Sequence, residues 1–190
     1  MAAQDTGGAL RQANVLRLVA DKAGWGTALP AGSARGIASG FGQDRGMPTW
    51  VACVADVAVE AATGIVTVQR LTIVTDAGTI IDPDSARAQT EGAMLWGLSM
   101  ALYEGTEFVA GEVRDTNLNT HTPLRIGDVP VLDISFVDSA EVPVGLGEPA
   151  TTVIAPAIAN AIFAATGGRV THLPITAQAV LAAVAARDAP

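Results

Sequence analysis

Two long runs of alternating and β-branched residues constrain the fold of this chain more than any other feature. They lie in the stretch TWVACVADVAVEAATGIVTVQRLTIVTDAG and meet at residues 62–64, Ala-Thr-Gly. Runs of this kind, joined by a short segment that ends in glycine, predict an antiparallel β-hairpin. Because side chains alternate along a strand, one face of the first strand carries Val51, Cys53, Ala55, Val57 and Val59.

A short amphipathic helix is predicted before the hairpin, over residues 10–23. Apolar residues recur there at helical spacing, and Gly24 follows at a position where helices commonly end. The apolar positions are Ala13, Leu16, Ala20 and Ala23. The glycine- and proline-rich segment GWGTALPAGSARG then predicts a connector. Residues from about 10 to 35 are therefore interpreted as a short helix and a linker.

More helices and strands follow the hairpin. Asp82 is the predicted N-cap, and Pro83 the first residue, of a helix that runs to about Glu104. The segment FVAGEV predicts a tight hairpin. The segment VLDISFVD predicts a half-buried strand with the alternating apolar residues Leu132, Ile134 and Phe136.

Two helices are predicted near the end of the sequence. Pro156 is placed in the first turn of a helix that runs to Thr166 and stops at two glycines. Thr176 is the predicted N-cap of the last helix, AQAVLAAVAA. This mixture of elements predicts an α+β protein with a largely antiparallel β-sheet packed with helices, and residues 1–190 are interpreted as a single domain.

The charge balance excludes two classes of partner. The formal net charge is -8 at pH 7, which repels both nucleic acid and an anionic membrane surface. Hydrophobic residues make up 49% of the chain and charged residues only 16%. We therefore expect this apolar excess to need cover from a partner surface.

Residues that bind metals or form disulfides are scarce. Cys53 is the single cysteine and is expected to be a small buried hydrophobe. His121 and His172 are the only histidines in the sequence. One cysteine and two histidines are too few to form a zinc or iron–sulfur site, so none is predicted. No signal peptide and no window of eighteen uninterrupted apolar residues is found. We expect a cytoplasmic protein without direct membrane insertion, periplasmic only if an exported partner carries it.

An isolated carboxylate, Glu148, lies in the stretch PVGLGEPATTVIAPAIANAIFAATGG. An ionised group beside a buried helix is costly unless it is paired or hydrogen-bonded. Glu148 is therefore either satisfied locally, as a salt bridge or a helix-dipole partner, or kept for chemistry. The glycine-rich loop before it could cradle an anionic cofactor beside a base, or could be a plain loop.

Other features also have two interpretations. The segment TDAGTIIDPD either turns or presents backbone amides to a phosphate or pterin. Gln89 is interpreted as a solvated side chain, and only its position beside glycines suggests a ligand-binding role. Gly92 and Gly97 each cost a helix about 1 kcal/mol relative to alanine, so a close approach to the backbone is expected at both. Arg125 is expected to pair with an acidic residue rather than bind a ligand.

Four segments follow one another in a characteristic order: ARGIASGFG, VTDAGTIIDPDSARAQTEGAMLWGLSMALYE, TNLNTHTPLR and PVGLGEPATTVIAPAIANAIFAATGGRV, the last followed by LPI. Together they resemble the C-terminal part of the molybdenum-binding large subunit of the xanthine dehydrogenase and aldehyde oxidase family. The resemblance covers about Val15 to Ile175 and is closest to the isoquinoline 1-oxidoreductase and bacterial aldehyde dehydrogenase types.

The resemblance implies roles for particular residues. Glu148 matches the catalytic base of the family, in a dry apolar pocket. Two positions depart from the family pattern, because Ala77 stands where many relatives have cysteine and Ala93 where many have a second glycine. The residues that the resemblance places against the molybdenum–pterin are Ala77, Gly78, Gln89, Gly92, Gly145, Leu146 and Gly147.

The implied protein is a molybdenum hydroxylase that oxidises an aldehyde or hydroxylates an N-heteroaromatic ring. Water is the implied source of oxygen, and Glu148 is the implied general base. The implied cofactor is molybdenum–molybdopterin cytosine dinucleotide, shared with the remaining part of the large subunit. No metal ligand is assigned to this chain. Iron–sulfur clusters are expected only on a partner subunit, and any flavin or haem on another.

Large subunits of the family are much longer than this chain. We therefore expect a component that is active only with partner chains, either a separately encoded piece, which the initiator-like Met1 favours, or a fragment. The alternative function is a non-catalytic interaction or structural module that keeps the fold without bound cofactor.

Overall fold

The computed structural model of the protein describes residues 8–44 and 47–187. The α-helices in this part of the chain are α1 (Gly8–Lys22), α2 (Pro83–Leu102), α3 (Thr151–Thr166) and α4 (Ala177–Arg187). The strands described there are β1 (Ser33–Asp44), β2 (Met47–Val59), β3 (Val66–Asp76), β4 (Phe108–Val109), β5 (Glu112–Val113) and β6 (Val131–Phe136). A single 3-10 turn, Ile126–Asp128, precedes β6.

The main sheet has the strand order β1-β2-β3-β6. β1 pairs with β2, and β2 with β3, in antiparallel orientation, whereas β3 and β6 are parallel. The predicted hairpin is β2–β3, and Gly64 in its turn has a φ of 74°. β4 and β5 form the predicted small hairpin. The predicted α+β class with a largely antiparallel sheet is thus confirmed.

One face of the sheet packs against α2 and α3 and holds the larger core. The predicted apolar face of β2 points there, with Val51, Cys53, Ala55 and Val57 all fully buried. The prediction for Cys53 is confirmed, and its burial in apolar surroundings raises the pKa of the thiol. Ile134 of β6 joins the same core, as its alternating pattern predicted.

The opposite face of the sheet is covered by α1. Val15 and Val19 are fully buried against Trp50, Ala52 and Val54. The predicted apolar stripe of α1 was wrong at Leu16, which is 37% exposed, whereas Ala23 packs against this core. Two valines four residues apart bury more apolar area than the alanines of the predicted stripe, and spacing alone does not distinguish adjacent helix faces.

The sequence prediction missed β1, which was assigned in part to a connector. Its glycines made it look like a loop, yet they serve the packing of α3. A Cβ atom on Gly36 would lie 2.1 Å from the carbonyl oxygen of Ala157, so only glycine lets α3 lie this close to the strand. The glycines of β1 are therefore not a sign of a loop, because they leave the space in which α3 packs against the strand.

The helix after Glu148 starts earlier than predicted. α3 begins at Thr151, so Pro156 lies inside the helix and not in its first turn. Proline there lacks the N–H that would donate to the carbonyl of Thr152. The predicted end is confirmed, because Gly167 is the C-cap with a φ of 74°. The predicted caps of α2 and α4, Asp82 and Thr176, also accept hydrogen bonds from the first turns of their helices.

Candidate functional site

Three segments of the chain that the sequence singled out meet at one cleft of about 310 Å³. They are the turn after β3, the first half of α2 and the loop before α3. Four of the predicted site residues line the cleft: Ala77, Gln89, Gly145 and Leu146. The fold thus brings together residues that are up to seventy positions apart in the sequence.

The turn after β3 is held from two sides. Asp76 accepts hydrogen bonds from Arg11 Nη2 at 2.6 Å and Arg11 Nε at 2.8 Å, and a third from the Gly78 amide at 3.2 Å. Burial by itself raises the pKa of Asp76, but the hydrogen bonds from Arg11 and Gly78 outweigh it and lower that pKa below its ordinary value of 3.8. An ionised Asp76 therefore joins this turn to α1.

Gly78 needs to be glycine for two reasons. Its φ is 70°, and a Cβ atom there would lie 2.2 Å from the carbonyl oxygen of Val142. The loop before α3 runs directly alongside, because the Thr79 amide donates to the Glu141 carbonyl at 2.9 Å and the Val144 amide to the Ala77 carbonyl at 3.0 Å. These contacts fix the floor of the cleft.

Thr49 holds the same loop at Gly145. Its hydroxyl, on a side chain that is 2% exposed, donates to the Gly145 carbonyl at 2.6 Å. Sequence reasoning singled out neither Thr49 nor Arg11. A threonine at the start of a strand and an arginine on an amphipathic helix have ordinary patterns, so only the fold reveals their partners.

α2 presents Gln89 to the loop. A Cβ atom on Gly147 would lie 3.2 Å from Gln89 Oε1, so glycine leaves room for the amide side chain. Gly97 is closely approached, as predicted, because a Cβ atom there would lie 2.9 Å from the Thr151 carbonyl oxygen. Gly92 has no such neighbour: within the described residues, nothing lies within 4 Å of its Cβ position.

Glu148 follows the loop and is exposed. The dry apolar pocket expected around it is not formed by this chain alone. No ion pair or side-chain hydrogen bond of Glu148 is found in the part of the chain that the structure describes, so the salt-bridge interpretation has no partner there. Only its backbone is engaged, with the Glu148 carbonyl accepting from the Thr151 amide at 2.9 Å.

Other predicted features lie away from this cleft. Thr120, His121 and Thr122, from the segment TNLNTHTPLR, line a separate polar cleft of about 430 Å³. Arg125 is exposed, and its predicted ion pair was wrong as far as the described residues show.

The first cleft is lined mainly by apolar side chains, with the Gln89 amide and the Gly145 backbone among them. A Cβ atom on Gly92 or Gly145 would meet nothing within 4 Å in the described chain, so both backbones lie open to an approaching group. Gln89 adds an amide that both donates and accepts hydrogen bonds. No group of three His, Cys, Asp or Glu side chains that could bind a metal ion lies together among the described residues.

Among residues 8–44 and 47–187, no helix is both long and apolar enough to cross a membrane.

Residues 19–130 match the family profile described as a molybdopterin cofactor-binding domain. A membrane-bound aldehyde dehydrogenase of Gluconacetobacter polyoxogenes, whose name includes pyrroloquinoline quinone, is 59% identical over 181 residues, which are 95% of this chain and 23% of that protein. The isoquinoline 1-oxidoreductase subunit beta of Brevundimonas diminuta is 30% identical over 165 residues, 87% of this chain and 21% of that protein.

The crystal structure of the aldehyde oxidoreductase from Desulfovibrio desulfuricans ATCC 27774 superposes with a TM-score of 0.63 at 30% identity, over 72% of this chain and 15% of that one. The chain therefore spans less than a quarter of the length of the curated relatives it matches. The resemblance that the ordered segments indicated is confirmed, and the chain belongs to the molybdopterin cofactor-binding domain family.

Proposed function

We propose that this chain supplies part of the cofactor site of a molybdenum hydroxylase that oxidises an aldehyde, with water as the oxygen source. One observation carries the proposal: the Ala77 turn, Gln89 and the loop at Gly145 meet at a single cleft, with Glu148 directly after that loop. The chain acts as an oxidoreductase only together with the remaining part of the large subunit.

The cofactor would be held by backbone and amide groups. Gly145 and Leu146 line the cleft on one side and Gln89 on the other, and the Gly145 backbone is open. Gly147 leaves room for the Gln89 amide, and Gly92 is an open position one helical turn beyond Gln89. Ala77 lines the cleft with a small side chain, and Gly78 lets the turn lie against the backbone of Val142. When bound, the cofactor supplies the metal that activates oxygen and takes up two electrons from the substrate.

Glu148 acts as the general base in this proposal. A base must have its carboxylate within hydrogen-bond reach of the proton it removes and a pKa matched to the working pH. The exposed position of Glu148 leaves its carboxylate free to meet substrate. The remaining part of the large subunit would cover it and exclude water.

The form of the cofactor and the partners belong to the same proposal. We assign molybdenum–molybdopterin cytosine dinucleotide, shared with the remaining part of the large subunit. Iron–sulfur clusters are assigned to a partner subunit, and a flavin or haem to a further one, since Cys53 is buried within the sheet core.

An aldehyde is preferred over an N-heteroaromatic ring because the relative at 59% identity is named an aldehyde dehydrogenase, whereas the isoquinoline enzyme is 30% identical. The name of the first relative also gives pyrroloquinoline quinone as a cofactor. The family profile instead names molybdopterin, and the cleft presents the open glycine backbone described above. Molybdopterin is therefore the cofactor proposed.

The test is made on the assembled complex that contains this chain. We expect about one molybdenum per copy of the chain by metal analysis, a pterin among the released organic cofactors, and reduction of the complex by aldehydes faster than by N-heteroaromatic rings. A pure complex with pyrroloquinoline quinone and no molybdenum would overturn the cofactor. A complex with neither cofactor would favour the non-catalytic structural module.

A further inference from the structure

One cross-strand pair contacts the loop before α3 on both sides of Glu148. Gly42 of β1 and Thr49 of β2 are partners in the antiparallel register. The Thr49 hydroxyl donates to the Gly145 carbonyl at 2.6 Å, three residues before Glu148. Gly42 lies against Pro149, where the loop ends, and Pro149 directly follows Glu148. The sheet thus fixes the loop on either side of the carboxylate.

The contact at Gly42 leaves no room for a side chain. A Cβ atom there would lie 2.7 Å from Pro149 Cγ and 3.1 Å from Pro149 Cβ. Gly42 is not among the glycines with positive φ, so its backbone conformation does not require glycine. The reason for glycine at this position is therefore the space that Pro149 occupies.

Gly40 offers a direct comparison on the same strand. It lies two residues away and points to the same face, toward α3. A Cβ atom on Gly40 would make ordinary contacts, 3.6 Å from Val153 Cγ1 and 3.7 Å from Thr152 Oγ1. Alanine is accommodated at Gly40 and displaces Pro149 at Gly42.

The contact at Thr49 is also specific. Thr49 is 2% exposed, so water does not replace its hydroxyl as the partner of the Gly145 carbonyl. Valine has the same shape but cannot donate, whereas serine keeps the donor. This pair of substitutions separates the hydrogen bond from the packing of the side chain.

We propose that Gly42 and Thr49 are positioning residues for Glu148, setting where its carboxylate stands relative to substrate. The inference rests on the proposed role of Glu148 as the base. Restoring an ordinary contact of 3.4 Å at Gly42, from 2.7 Å, needs a shift of about 0.7 Å, which would move the carboxylate away from the proton it must remove. Displacements of about 1 Å at reacting groups cost on the order of 10²-fold in rate.

The experiment compares five variants of the assembled complex: Gly42→Ala, Gly40→Ala, Thr49→Val, Thr49→Ser and Glu148→Gln. Molybdenum content, the single-turnover rate of reduction at saturating aldehyde, and amide hydrogen exchange of residues 145–148 are measured for each. We expect Gly42→Ala and Thr49→Val to keep parental molybdenum and lose about 10- to 10²-fold in rate. Gly40→Ala and Thr49→Ser should react at the parental rate.

Hydrogen exchange gives a readout that does not depend on turnover. The amides at 145–148 should exchange faster than the parent in Thr49→Val, and at the parental rate in Thr49→Ser and Gly40→Ala. If Gly42→Ala fails to assemble, the two Thr49 variants decide the question by rate and by exchange.

The outcomes separate this inference from the proposed function. A slow Glu148→Gln together with parental rates and exchange in Gly42→Ala and Thr49→Val would overturn the positioning role alone. A loss of rate in Gly40→Ala as large as in Gly42→Ala would also overturn it, because the effect would then be general packing. A Glu148→Gln complex that reacts at the parental rate would instead overturn the proposed role of Glu148 as the base.

Discussion

The guanidinium of Arg11 donates two hydrogen bonds to the buried carboxylate of Asp76, and this pair joins α1 to the turn that lines the cleft. The side chains are 18% and 4% exposed, respectively. A pair this sheltered is weakly screened by solvent. Removing one partner leaves the other charge buried without compensation.

Arg11→Met is therefore expected to loosen α1 by about 2 kcal/mol or more, toward the values known for broken buried pairs. Amide exchange of α1 in the assembled complex measures this local opening. Arg17→Met is the matched control, since Arg17 is an exposed arginine of the same helix. Equal exchange in the two variants would show that the ion pair does not hold α1.

The same pair predicts a pH dependence. The folded-state pKa of Asp76 is lowered, so its contribution to stability is fully present above the unfolded-state value of about 3.9 and is lost as pH falls through the folded-state pKa. The melting temperature of the parent complex should thus decline more steeply below about pH 4 than that of Arg11→Met. Parallel declines would contradict the assignment.

Alanine substitutions at two glycines of α2, Gly97 and Gly92, are expected to change thermal stability in opposite directions. At Gly97 the added Cβ atom would meet the Thr151 carbonyl oxygen and Ile154 Cγ1, both at 2.9 Å, and overpacking of this kind costs about 1–3 kcal/mol. At Gly92 the Cβ atom meets no atom of residues 8–44 or 47–187 within 4 Å, and alanine raises helix propensity by up to about 1 kcal/mol. Thermal unfolding should show Gly97→Ala below the parent and Gly92→Ala at or above it. A lower melting temperature for Gly92→Ala would mean that another chain covers this position.

Much of this fold follows from local sequence patterns, and the rest does not. The β2–β3 hairpin and the Asp82 cap were predictable because alternation and capping act within a few residues. β1 was not, since the room that Gly36 leaves for Ala157 appears only when α3 is in place. The buried stripe of α1 depends in the same way on the sheet beneath it.

The candidate site shows the same division. The resemblance assigned Gln89 and Gly145, and the fold brings both to one cleft. Thr49 and Arg11 act through partners that are 96 and 65 residues away in sequence, so no short pattern reveals them. The pocket around Glu148 was predicted and is not formed here, because the residues that would complete it lie outside this chain in the proposed assembly.

A larger side chain at Gly92 tests the cofactor site. Its open position adjoins Gln89 on α2, so Gly92→Leu should occupy space that the cofactor needs and reduce the molybdenum retained by the assembled complex. Arg87→Leu is the control, because it places leucine elsewhere on α2 and removes only an exposed ion pair with Glu91. Parental molybdenum in Gly92→Leu would mean that this face of α2 points away from the cofactor.

Glu148→Gln tests the proposed base. Glutamine keeps the shape and can form hydrogen bonds, but it cannot take a proton, and positioned acid–base groups contribute about 10²–10⁴-fold in rate. We expect the variant complex to assemble, to keep parental molybdenum and to lose most of its single-turnover reduction by aldehyde. Glu141→Gln makes the same chemical change at another exposed glutamate just before the cleft loop and should leave the rate at the parental value.

The remaining structural interpretation makes a different prediction for the same variant. Glu148 lies two residues before Ala150, the N-cap of α3. A negative charge near this end of the helix interacts favourably with the helix dipole and stabilises the helix. If that is its role, Glu148→Gln should lower the stability of α3 slightly and leave the reduction rate intact. Because the carboxylate is exposed, solvent screens this effect, and amide exchange in the first turn of α3 is the sensitive measurement. Faster exchange there with a parental rate would therefore assign Glu148 to the helix and not to the chemistry.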